Sequence, residues 1–185
     1  MFLSIDMKMF AQAVVYEPKI YYDSRGGFQE VYKESTFKEF NLKQINESIS
    51  AKGVLRGLHF QKGEYAQGKI VRCLKGAIFD VAVDLRRDSP TFAHYTSVIL
   101  TEDDNKLFYI PRGFAHGFLA LEDATKIQYF CDNEYNKESE GGVMYDDPLF
   151  KIEWPIIPDC HYTISDKDKK YEYLNKFNID EILKN

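Results

Sequence analysis

Over the run AIFDVAVDL, apolar and polar positions alternate with a period of two. Phe79, Val81, Val83 and Leu85 fall on one face, and Asp80, Ala82 and Asp84 on the other, as in a strand whose successive side chains point to opposite sides. The mixed face is expected to look into a wet cavity. The preceding run KIVRCL is joined to it through Lys75-Gly76, which predicts a hairpin with a two-residue turn. Similar short β-rich runs lie at 12–16, 19–22, 27–31, 95–100, 107–110, 117–121 and 126–131. Many short strands separated by turns predict an all-β sandwich, jelly roll or barrel. Helical patterning is confined to two places. Residues 35–40 suit one or two turns, with Ser35 or Thr36 as cap, and 166–183 carry a broken helical pattern of charges with Tyr, Leu, Phe and Ile.

With 185 residues and no repeat, linker or low-complexity tract, the chain is expected to form a single domain with a substantial core. The composition, 44% hydrophobic with 14 Phe and 13 Tyr, is that of a globular chain rich in aromatics. A net charge of −5 argues against nucleic-acid binding, which calls for a basic stripe. Cys73, Cys131 and Cys160 are far apart without a CxxC pair, which suggests neither a disulfide framework nor a zinc knuckle. The opening MFLSIDMKMF carries Asp6 and Lys8 and lacks a signal peptide's apolar stretch. No run approaches the roughly 20 apolar residues of a membrane span. A cytoplasmic protein with no membrane partner is expected.

The candidate chemistry lies in GVLRGLHFQ (53–61) and AQGK (66–69), which place Arg56, His59 and Lys69 on runs read as neighbouring strands. Charged and titratable groups are costly in a strand that serves only the core. The pattern therefore suggests a site that binds an anion and moves a proton.

Further motifs occur in order along the chain: DSRGGF (23–28), QINES (44–48), FDVAVDLR (79–86), SPTF (89–92), PRGFAHGF (111–118) and IEWP (152–155). With GVLRGLHFQ and AQGK, this series resembles the dTDP-4-dehydrorhamnose 3,5-epimerase family of cupin-like jelly rolls over about residues 16–170. The resemblance implies a cupin-type double-stranded β-helix and a homodimer without cofactor or metal. Its implied activity inverts carbons 3 and 5 of a nucleotide-linked 4-keto-6-deoxy sugar in deoxysugar or surface-polysaccharide synthesis. Such chemistry needs a base, a group that stabilises the enolate, and an acid on the opposite face.

By the same resemblance His59 is the base, oriented by Asp168, and Lys69 is the cation beside the ketone. Tyr129 is the acid, with Tyr135 as second candidate or stacking residue. Substrate contacts carry over to Arg25, Glu30, Gln44, Asn46, Arg56, Lys69, His116, Glu140 and Lys167. The competing structural readings are a satisfied histidine at 59, an edge-guarding lysine at 69, a core aromatic at 129 and a tight-turn residue at 116.

Arg56 and His59 have opposite strand parity. Either Gly57 permits a bulge, or one of the two serves the other subunit of the dimer. Glu47 departs from the family pattern and is the expected place for sugar or nucleotide specificity, and the N-terminal extension and C-terminal tail suit dimer contacts. Three rival readings remain: an epimerase of a GDP-linked 4-keto-6-deoxy sugar or heptose, a metal-dependent cupin, and a non-catalytic sugar-nucleotide-binding module. The metal reading lacks an HxH pair, since His59, His94, His116 and His161 are scattered.

Overall fold

In the computed structural model, which describes residues 12–177, short antiparallel strands build two facing sheets. The first sheet contains β1 (Val14–Tyr16), β9 (Leu107–Ile110), β6 (Lys69–Lys75), β11 (Thr125–Cys131) and β4 (Gln44–Ser50), in that spatial order. The second runs β12 (Glu140–Gly142), β5 (Val54–Gln61), β10 (Phe114–Ala120), β7 (Ala77–Asp84) and β8 (Tyr95–Thr101), with β13 (Thr163–Ile164) parallel to β5. A separate ribbon of β2 (Ile20–Asp23) and β3 (Gly26–Gln29) carries Arg25 in its turn. This is the expected all-β jelly roll.

The central core lies between the sheets, where Val71, Cys73, Phe108, Ile110 and Ile127 meet Ile78, Ala82, Phe114, Phe118 and Ala120. A second layer covers the outer face of the second sheet. There Leu58, Phe60, Val81, Val83 and Ala115 pack against Val143, Phe150 and Leu174. Double coverage explains why every residue of β10 is buried and why FAHGFLA lacks a clean alternation. The mixed face of β7 turns inward onto the core and not into the wet cavity expected of it, with Asp80 and Ala82 fully buried.

Three expected elements differ. β6 and β7 do not form a hairpin: β6 pairs with β9 and β11, whereas β7 pairs with β10 and β8. At Gly76, whose φ is +73°, the chain turns from one sheet into the other. The Gly76 carbonyl accepts the Glu102 N–H and the Ala77 carbonyl accepts the Leu121 N–H. A two-residue link satisfies either connection, and the burial of both strands selects the corner.

The helix expected at 35–40 is a pair of turns. The Thr36 and Phe37 N–H groups both point to the Lys33 carbonyl, and Phe40 N–H reaches Phe37. Phe37 and Phe40 are drawn onto Ile70, Leu107, Tyr109 and Phe130, and isolated helical bonds do not propagate without a longer nucleus. Of the C-terminal helix, residues 166–177 form only short 3-10 turns at Asp168–Lys170 and Leu174–Lys176. Asp147 ties down the second turn by accepting the Leu174 N–H at 2.6 Å. The rest of that expected helix and the N-terminal extension lie outside the described residues. Among the described residues no helix is long and apolar enough to cross a membrane.

Candidate active site

Between the open ends of the two sheets lies a cleft of about 240 Å³. The second sheet contributes Arg56 and His59 from β5 and His116 from β10. The first sheet contributes Asn46, Lys69 and Tyr129, from β4, β6 and β11. Lys69 thus stands across the cleft from Arg56 and His59, on the opposing sheet and not on a neighbouring strand. Tyr135 and Glu140 complete the rim.

The parity conflict on β5 is resolved by an irregularity in its pairing with β10. His59 faces His116, while Arg56 faces Phe118, so three steps along β5 match two along β10. A bulge of this kind re-aims a side chain, and both Arg56 and His59 reach the same cleft. Gly57 sits in the bulge at φ +121°, where a Cβ would come within 2.6 Å of Gly117 Cα and 2.8 Å of the His116 carbonyl oxygen. Only glycine fits that conformation and that approach.

His59 Nε2 lies 2.9 Å from Asp168 Oδ1, so the segment beyond β13 supplies the carboxylate expected from the resemblance. Asp168 Oδ2 accepts the Gly57 N–H at 3.1 Å, and Ser165 Oγ accepts the Asp168 N–H at 3.0 Å. Burial opposes the charge on Asp168, but the His59 ring, the Gly57 N–H and Ser165 outweigh it and hold the carboxyl below the usual range. A charged carboxylate only accepts, so His59 Nε2 carries a proton, and in the neutral ring the lone pair lies on Nδ1. Tyr171 packs edge-on against the imidazole, with centroids 5.7 Å apart.

His116 forms a second such pair, with Nε2 2.6 Å from Asp80 Oδ1. Burial pushes His116 below the ordinary imidazole value despite the Asp80 charge, with Lys69 and His59 acting in the same direction. His116 is a strand residue, not a turn residue. Burial also lowers the pKa of the half-buried Lys69, against the pull of Cys131, Asp80 and Glu140. A poorly solvated ammonium gains strongly from an anion placed beside it.

Tyr129 packs its ring on the central core and edge-on to His116, at 6.1 Å, while lining the cleft. The core and site readings of this residue therefore coincide. Burial drives its phenol pKa far up, and a 2.9 Å hydrogen bond with Ser48 Oγ is the largest opposing influence, so Tyr129 holds its proton at neutral pH. Tyr135 is half exposed and donates to Glu140 Oε2 at 3.0 Å; Glu140 also pairs with Lys167. Gln44 donates to Asn46 Oδ1 at 2.8 Å and accepts the Tyr135 N–H at 2.9 Å, joining β4 to the rim.

Other expected positions lie elsewhere. Arg25 pairs with Asp23 at 2.6 Å in the exposed ribbon turn, and Glu30 lies 3.6 Å from Lys33; neither lines the cleft of this chain. Glu47 points outward, paired with Lys126 at 2.5 Å and accepting from Gln128 at 3.3 Å, because β4 turns Asn46, Ser48 and Ser50 inward. Glu47 therefore does not line the cleft of this chain. Residues not singled out in the sequence include Gln61, Gln67 and Cys131 on the lining, Ser48 behind Tyr129, and Asp80 beneath His116. The glutamines lie within the quoted motifs, and Asp80 was marked by the inward parity of β7. Among the described residues no group of three or more His, Cys, Asp or Glu side chains could hold a metal.

The model of the dTDP-4-dehydrorhamnose 3,5-epimerase family matches residues 8–176. The chain belongs to this family. It is 46% identical to the dTDP-4-dehydrorhamnose 3,5-epimerase of Methanothermobacter thermautotrophicus over 168 residues, 89% of this chain and 90% of that protein. The crystal structure of a dTDP-6-deoxy-D-glucose-3,5-epimerase from Legionella pneumophila, in complex with dTDP-4-keto-L-rhamnose, superposes with a TM-score of 0.86. It is 40% identical, with 94% of this chain and 93% of that chain covered. A 3'-monoepimerase from Streptomyces bikiniensis, in complex with dTDP-quinovose, gives a TM-score of 0.81 at 33% identity, covering 88% and 84%. As the epimerase motifs implied, the family is one of carbohydrate epimerases built on this jelly roll.

Proposed function

We propose that this member of the dTDP-4-dehydrorhamnose 3,5-epimerase family inverts carbons 3 and 5 of a dTDP-linked 4-keto-6-deoxy sugar without a cofactor. The observation that carries the reading is one cleft with an imidazole–carboxylate pair on one sheet and a protonated tyrosine on the other. His59 Nδ1 takes the proton α to the ketone, and Asp168 steadies the imidazolium that forms. The electron pair moves to the ketone oxygen, where Lys69 supplies the counter-charge. Tyr129 then delivers a proton from the opposite face, which inverts the carbon.

Arg56 anchors the diphosphate. Its Nε is engaged with Ser50 Oγ at 3.1 Å and Nη2 with the Ile49 carbonyl at 3.2 Å, which aims the guanidinium while leaving further N–H groups for phosphate oxygens. His116, Asn46, Gln44, Tyr135, Glu140 and Lys167 frame the sugar and nucleotide. A local cation set of this kind reconciles an anionic ligand with an acidic chain.

The working unit is a homodimer. An isolated two-stranded ribbon is marginal in water, yet β2–β3 exposes Tyr22 at 77% and Phe28 at 69%, as expected of a surface that packs on a second copy. Arg25 and Glu30 then act at the partner's cleft. Free Cys73, Cys131 and Cys160 suit the reducing cytoplasm.

Incubation with dTDP-4-dehydro-6-deoxyglucose in deuterated water tests the activity. The expected result is the epimerised sugar carrying deuterium at both carbons, with the GDP-linked sugar turned over far more slowly. Preference for the GDP sugar, deuterium at carbon 3 alone, or loss of activity on metal chelation would each overturn the reading.

A further inference from the structure

We propose that Ser48 is the positioning residue of the proton donor, with its hydroxyl donating to the Tyr129 oxygen so that the phenolic O–H is left to point into the cleft. The inference rests on the reading of Tyr129 as the acid. Ser48 lies on β4 opposite Ile127 of β11, one diagonal step from Tyr129, a spacing within reach of an aromatic side chain. The two hydroxyl oxygens are 2.9 Å apart, and geometry alone permits either to donate. A phenol has a single O–H. Were Tyr129 to donate it to Ser48, none would remain for the substrate, so the productive arrangement has Ser48 as donor.

The proton balance gives the same answer. In each inversion a C–H bond breaks towards His59 and a C–H bond forms from Tyr129, leaving an imidazolium and a phenolate until solvent resets both. The phenolate forms beside the core, where Val71, Ile127 and Phe118 offer it no hydrogen bond. A hydrogen bond from Ser48 strengthens as that charge develops and is already in place when it does. Its opposition to the upward shift of the Tyr129 pKa agrees with this role. Ser48 also sits at the edge strand of its sheet and is only half-buried, so it stands where solvent can return the proton.

The test compares Ser48→Ala, Ser48→Thr, Tyr129→Phe and the double variant Ser48→Ala/Tyr129→Phe in deuterated water. Loss of one hydrogen bond to a charged group corresponds to about 10- to 100-fold in rate. Ser48→Ala is therefore expected to lower kcat for inversion by about that factor, with KM unchanged and α-proton exchange retained. Its basic kcat limb should move to higher pH, Ser48→Thr should recover most of the loss, and the double variant should be no worse than Tyr129→Phe alone. Wild-type inversion and an unshifted pH limb in Ser48→Ala would overturn the inference, as would an equal fall of exchange and inversion, or failure of Ser48→Thr to rescue. If Tyr129→Phe itself inverts normally, the reading of Tyr129 falls and takes this inference with it. A defect in Tyr129→Phe with none in Ser48→Ala refutes the inference alone.

Discussion

His59 and His116 are cross-strand partners on β5 and β10, and each is held by its own carboxylate, Asp168 at 2.9 Å and Asp80 at 2.6 Å. They differ in access. Both line the cleft, but the His59 side chain is 30% exposed and that of His116 only 5%, so the first is the more open to a proton exchange and the second the more firmly fixed.

Asp168→Asn should separate charge from hydrogen bonding. The amide carbonyl can still accept the Gly57 N–H, but its NH2 then faces His59 Nε2 and forces the ring proton onto Nδ1, removing the lone pair that acts as base. A fall in kcat of about 10²- to 10⁴-fold is expected, the range of a lost general base, with little change in KM. Initial-rate kinetics of the variant check this.

On the proposed mechanism, Tyr129→Phe removes the acid and keeps the ring that packs on His116. It should bind dTDP normally and exchange the α-proton with solvent, yet form no inverted product. Isotope analysis of recovered sugar checks the result; unaltered turnover would transfer the role to Tyr135.

Arg56→Lys keeps the charge and loses the planar fork. If Arg56 holds the diphosphate as proposed, it does so equally in ground and transition states, and KM should rise about 10- to 100-fold, as for one lost charge-assisted hydrogen bond, with kcat nearly unchanged. Retention of the wild-type KM would show that the diphosphate lies elsewhere.

Stability should fall as the pH drops below about 6.5. Burial depresses the His116 pKa in the fold, so between that value and 6.5 the unfolded chain binds a proton that the folded chain does not. Unfolding is favoured there by up to about 1.4 kcal/mol per pH unit. Asp168 and Glu140, with depressed folded pKa values, add their losses only at lower pH, below the unfolded carboxylate values of about 4. His116→Asn should be less stable at pH 7 but lose less between pH 7 and 5, as measured by chemical unfolding at both values.

Local pattern made much of this legible. Strands such as Leu107–Ile110 and Thr125–Cys131 follow from their β-rich runs, and the inward parity of Asp80 follows from period-two alternation. What local pattern could not decide was sheet membership. Lys75-Gly76 is an equally good link within a sheet or between two, and only the burial required on both sides made it a corner. The opposite parity of Arg56 and His59 left a bulge and a shared site as alternatives, and the tight approach of Gly57 to Gly117 decides for the bulge. Glu47 is conspicuous in sequence as an extra charge near a motif, whereas its outward side is set by the pairing of β4 with β11. Arg25 and Glu30 belong to an exposed ribbon away from the cleft of this chain, a placement that no local pattern in the sequence reveals.

The most direct test of the mechanism is solvent-deuterium exchange at the carbons flanking the ketone, in wild type and in His59→Asn with dTDP binding verified. The mechanism predicts exchange at both carbons in the wild type and none above background in the variant. Exchange by His59→Asn at the wild-type rate would contradict it.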